Sequence, residues 1–155
     1  MSASNLVNLK AYPIQDIETP AAQALVARCR QDLDESALSR LDAFIRPDAI
    51  VAMTNEIDSL VNCAYRAEHQ RTAYSWRYNL DFPDGHPRRA LHMNRYGYLL
   101  YNQLENKSLI SQLYEWKPLT EFVRQILSFE TLYRTADPYL SIVINIMKSG
   151  DELAW

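Results

Sequence analysis

Residues 139–155 read YLSIVINIMKSGDELAW. Over 139–148 the side chains sort by parity. Leu140, Ile142, Ile144 and Ile146 make a uniformly aliphatic set, while Ser141, Val143, Asn145 and Met147 make a mixed set with an amide at its centre. Successive residues of a strand point to opposite sides of the pleat, so this alternation predicts a strand with a greasy back and a mixed front. Such a strand suits a sheet with helices behind it and a pocket before it. Ser149-Gly150-Asp151 supplies a turn, because Gly tolerates the positive φ that tight turns demand. Glu152 to Trp155 is then expected to open a second strand and so form a hairpin.

Upstream of this stretch the periodicity changes to that of helices. Thr19-Pro20 predicts a helix start, a hydroxyl cap followed by a ring whose missing N–H costs nothing in the first turn. Ala22, Leu25, Val26, Cys29 and Leu33 then share one face. A second start falls at Pro47, with Asp48 favourable to the positive helix end. Its stripe is Ile50, Met53, Ile57, Leu60, Val61 and Ala64. The intervening ALSRLDAFI, residues 37–45, is compatible with a short strand or a continued helix. Later, Leu109, Ile110 and Leu113 mark a short helix. Pro118 restarts another, with Leu119, Phe122, Val123 and Ile126 facing inward. These stripes are ordinary core faces.

Residues 72–104 have a different character, rich in aromatics and arginine. Tyr74, Trp76 and Tyr78 alternate as in a strand. Pro83-Asp84-Gly85 predicts a turn, followed by a basic cluster of Arg88, Arg89 and Arg95. The functional reading is a wall or lid that offers arginines to a carboxylate, since the planar guanidinium matches that group bidentately. The bland reading is a solvated loop. His86 and His92 stand six apart with no acidic partner at metal-ligand spacing, and read as surface or hydrogen-bonding histidines.

The 155 residues suit one domain with a real core, and 48% hydrophobic with 23% charged residues is ordinary for a globular chain. A net charge of −3 gives no support for nonspecific nucleic-acid or membrane binding. Cys29 and Cys63 are too few for a disulfide framework and are expected to be buried thiols on helix faces. No run approaches the roughly 20 apolar residues of a membrane span, and the N-terminus lacks a signal pattern. A cytoplasmic protein is expected, of fold class α+β.

A family resemblance rests on LYRTADPYLSIVINIMKSGDELAW, residues 132–155. With its Asp137-Pro138 opening, strand, Gly150-Asp151 turn and Trp155 in order, it resembles the start of the catalytic barrel of Fe(II)/2-oxoglutarate-dependent oxygenases. It is most similar to a bacterial subgroup acting on free amino acids as hydroxylases or halogenases. The likeness is clearest over 129–155 and looser upstream. It implies N-terminal helices packed on the first strands of an incomplete double-stranded β-helix, or jelly roll. Residues 1–137 would be a helical and support-sheet region, and 138–155 the opening strands of the barrel.

In that subgroup the metal-binding His-x-Asp, or His-x-Gly in halogenases, follows directly after the tryptophan. A second histidine and a 2-oxoglutarate-gripping arginine come tens of residues later. Here the sequence stops at Trp155, so the chain is expected to be the N-terminal part of a longer enzyme and inactive alone, binding neither iron nor cosubstrate. His69, His86 and His92 all precede the barrel strand and match none of those ligands.

The resemblance implies that Asn145 hydrogen-bonds 2-oxoglutarate in the complete enzyme; its bland reading is an amide paired with a neighbouring strand or a buried water. Trp155 would pack beside the metal ligand and fix its orientation, or serve as a plain core aromatic. Arg77, Arg88 or Arg95 would help hold an amino-acid substrate's carboxylate. A noncatalytic helical interaction module is the alternative function. Single-strand nucleic-acid binding through residues 74–101 ranks below both.

Overall fold

The computed structural model describes residues 2–72, 81–105 and 107–153. They form five α-helices and one three-stranded antiparallel sheet, an α+β arrangement. The elements are α1 (Ala3–Leu6), α2 (Pro20–Ser36), α3 (Pro47–Leu60), β1 (Tyr65–Arg71), β2 (His92–Leu100), α4 (Leu109–Tyr114), α5 (Lys117–Ile126) and β3 (Val143–Ile146). No described helix is long and apolar enough to cross a membrane.

The helical layer holds the main core. Thr19 caps α2 by accepting the Ala22 N–H at 3.3 Å, with Pro20 in the first turn, as the sequence predicts. Ala22, Leu25, Val26 and Cys29 are all buried. Phe122 of α5 packs into the same cluster, joined by Val7, Tyr12 and Ile14 from the N-terminal segment. Arg30 of α2 donates from Nε to the Gln125 carbonyl at 2.9 Å, giving α5 a polar tie at its C-terminal end. Residues 37–45 are neither helix nor regular strand. Ala37 ends α2 at φ +56°, and Ile45 then makes an isolated antiparallel bridge with Val7.

Helix α3 departs from its predicted stripe. It stops at Leu60, and Val61–Cys63 is a single 3₁₀ turn rather than a continuation. Ala49 is its one fully buried residue, whereas Ile50 and Val51 are 51% and 60% exposed. Cys63 is exposed in that turn, in contrast to the buried helix-face thiol expected. Cys29 does match that expectation.

The sheet has the order β1-β2-β3. All seven residues of β1 pair with β2, from Tyr65 opposite Tyr98 to Arg71 opposite His92. The strand at the end of the chain does have a neighbour: β3 pairs with β2 through Gly97–Ile146, Tyr98–Asn145, Leu99–Ile144 and Leu100–Val143. It is shorter than residues 139–148. Asp137 Oδ1 accepts the N–H groups of Tyr139 and Leu140 at 2.7 and 2.8 Å, which holds 137–140 in a turn. Leu140 is consequently 63% exposed rather than part of the aliphatic back. Within β3 the predicted alternation is present, Ile144 and Ile146 half-buried, Val143 and Asn145 exposed.

Among the described residues the expected hairpin does not form; Ala154 and Trp155 of its second strand lie outside them. A turn does form, with Gly150 at φ +84° and the Asp151 N–H on the Lys148 carbonyl at 2.9 Å. The chain does not reverse there. Glu152 instead pairs antiparallel with Arg95 of β2, two residues beyond Gly97, and the bonds run both ways at 2.8 and 2.9 Å. Residues 147–151 therefore form a long bulge in one edge strand.

Candidate functional site

Cross-strand partners share a face of the sheet, so the register assigns the faces. One face carries Tyr65, Tyr98 and Asn145 in a row, with Ala67–Tyr96, His69–Asn94 and Leu100–Val143 beside it. Its rings form a chain: Tyr65 and Tyr98 have centroids 5.5 Å apart, Tyr98 and Tyr96 6.0 Å, Tyr96 and His69 6.3 Å edge-on. Asn145 stands exposed at the end of the Tyr65–Tyr98 row. Its surroundings offer aromatic faces for apolar contact and one amide for directional hydrogen bonding.

The other face carries Arg66, Glu68, Arg95, Gly97, Leu99, Ile144 and Ile146. Arg95 is engaged there, pairing with Glu68 at 3.2 Å and donating to the Gly150 carbonyl at 3.3 Å. Arg95 and Asn145 thus lie on opposite sides of the sheet and do not converge on one ligand. Arg88 is also remote. It lies in the 3₁₀ turn Pro87–Arg89 before β2, whereas Asn145 pairs with Tyr98, six residues beyond the first residue of β2, His92, about 20 Å along the strand at strand rise. Its guanidinium stacks 5.0 Å over Phe82. The predicted turn is present, Gly85 having φ +80°, and Arg89 reaches back to Asp84 at 2.8 Å. Arg77, Trp155 and the Tyr74–Trp76–Tyr78 alternation lie outside the described residues.

A separate polar cleft of about 340 Å³ lies where β2 ends against α4, lined by Tyr101, Leu104, Glu105, Ser111, Glu115 and Pro138. The Tyr101 hydroxyl donates to the Glu115 carboxylate, and this bond, more than burial, raises the phenol above its ordinary range. The sequence pattern gives no sign of this pair, because two residues 14 apart on different elements leave no periodic signal. Asp137 is held below the usual carboxylate range by the Leu140 and Tyr139 N–H groups, a turn-holding role.

Among the described residues no group of three His, Cys, Asp or Glu side chains is placed to hold a metal ion. His69 lies mid-β1, His86 flanks the Pro87 turn and His92 opens β2. Compared with models of known families, with curated proteins and with solved structures, the chain matches none.

Proposed function

We propose that the chain is the N-terminal part of a non-haem Fe(II)/2-oxoglutarate-dependent oxygenase that hydroxylates or halogenates a free amino acid or similar small molecule. The observation that carries the reading is the Tyr65–Tyr98–Asn145 row. It sets one exposed amide at the edge of an aromatic sheet face, on the strand where the family resemblance is clearest. In this reading the three strands begin a jelly roll, and Asn145 donates its amide to a 2-oxoglutarate carboxylate. Trp155 packs beside the first metal ligand. No group of described residues is placed to hold iron, and in this reading the ligands and the chemistry belong to sequence after Trp155. This chain contributes cosubstrate binding and support, and by itself turns over nothing. Arg95 lies on the opposite face of the sheet from Asn145, paired with Glu68.

The test begins with the DNA beyond the Trp155 codon. The expected frame continues with His-x-Asp or His-x-Gly, then a second histidine and an arginine. The continued protein should form succinate from 2-oxoglutarate with Fe(II) and a free amino acid. Asn145→Ala in it should raise the 2-oxoglutarate KM by roughly tenfold, the value of one hydrogen bond to a charged group. A continued frame without those residues, and no succinate, sinks the reading. The noncatalytic interaction module has one observation in its favour, the exposed Ile50–Val51 pair on α3. It predicts an oligomer dispersed by Ile50→Asp.

A further inference from the structure

Five residues, 147–151, stand opposite the single residue Tyr96, between the Gly97–Ile146 and Arg95–Glu152 pairs. Backbone alone does not select that length, since the cost of closing a flexible loop changes slowly with each added residue. Side chains from the sheet's other two strands close it. Arg66 of β1 forks onto Asp151 with two bonds, Nη1 to Oδ2 at 2.7 Å and Nη2 to Oδ1 at 2.6 Å. The Asp151 side chain is 3% exposed and also accepts the Lys148 N–H at 2.8 Å. Arg95 of β2, paired with Glu68, donates to the Gly150 carbonyl at 3.3 Å.

We propose that Arg66 and Asp151, with Arg95, form a register clamp. It fixes the point on β2 at which the chain is taken back into the sheet. Because side chains alternate, a slip of one residue would exchange the two faces for everything after the bulge. With the clamp set, Glu152 falls on the Arg95 face, in phase with Ile144 and Ile146. Arg66 and Asp151 are positioning residues. The clamp stands on the ladder alone. Only its consequence, that it aims residues beyond Trp155, rests on the oxygenase reading.

Amide-resolved hydrogen exchange on the full chain tests the clamp. Asp151→Asn should speed exchange at the Arg95 and Glu152 amides by about tenfold or more, while amides of α2 and of the β1–β2 ladder change by less than about twofold. Arg66→Lys keeps the charge and loses the fork, and should show a smaller acceleration at the same two amides. The double exchange Arg66→Asp with Asp151→Arg should recover part of the protection. Uniform acceleration throughout the chain, or none at Arg95 and Glu152, overturns the clamp. Should Asp151→Asn not fold, the Arg66→Lys pattern at those two amides supports or overturns the clamp in the same way. None of these readouts involves iron or 2-oxoglutarate, so the clamp and the oxygenase reading fail separately.

Discussion

At the scale of single residues, Asp151 is the group whose surroundings most change its chemistry. The Arg66 guanidinium, then the Lys148 N–H, hold its carboxyl far below the ordinary value of 3.8. A carboxylate with a depressed folded pKa stabilises fully above its unfolded pKa, and loses that contribution as pH falls through the folded value. The gap in melting temperature between the native chain and Asp151→Asn should therefore be constant above about pH 5. It should narrow only as pH drops below the unfolded carboxylate range. A gap independent of pH down to about pH 2 would show that the ion pair adds nothing to the amide's hydrogen bonds. Asn145 shows the limit of reading one residue at a time. Its parity, and its place on the mixed face, are legible from the alternation alone. That Tyr65 and Tyr98 stand in its row depends on pairing with residues 80 and 47 positions away, which no local pattern encodes.

At the scale of elements, caps and stripes were legible where local chemistry decides them. Thr19 and Pro20 start α2, Pro47 starts α3, and the α5 stripe finds Phe122 buried. These features carry stability that can be measured. Thr19→Ala should cost about 1 kcal/mol, a lost cap, and Phe122→Ala about 3–5 kcal/mol, a large core deletion, in urea unfolding followed by circular dichroism. Equal costs would mean that the Phe122 site collapses around the missing ring. Other elements gave no such signal. The β1 sequence YRAEHQR holds two apolar residues, Tyr65 and Ala67, so apolar alternation is nearly silent. Its strand state comes from a complete seven-residue register with β2. The bulge shows a different failure. Ser149-Gly150-Asp151 does dictate a turn, because Gly150 takes a positive φ. A turn of that kind ends equally well in a hairpin or in a return to the same neighbour, and the choice lies with Arg66, 85 residues upstream.

At the scale of the whole molecule, the helices close their core and the described sheet ends in two edges, β1, which carries Arg66, Glu68 and Arg71, and β3, which carries no charge. Among the described residues β3 pairs only with β2, so its far side presents backbone groups for another strand. Natural edges are blunted by charge or proline. Val143-Ile144-Asn145-Ile146 contains neither, although the clamped bulge just beyond it twists the chain and shortens the exposed run. Val143 is 46% exposed on the mixed face and Met147, the first residue of the bulge, is 48% exposed, which adds apolar area to any strand that docks there. The purified chain is therefore expected to self-associate as concentration rises, through pairing along this edge. Val143→Lys places a charge at the first residue of the edge strand while remaining solvated in the monomer. It should weaken association by about tenfold in sedimentation velocity, roughly 1.4 kcal/mol. A surface lysine on α2 should leave association unchanged. Loss of association with Ile50→Asp instead would move the contact to α3, and would favour the interaction-module reading over a sheet edge built to receive further strands.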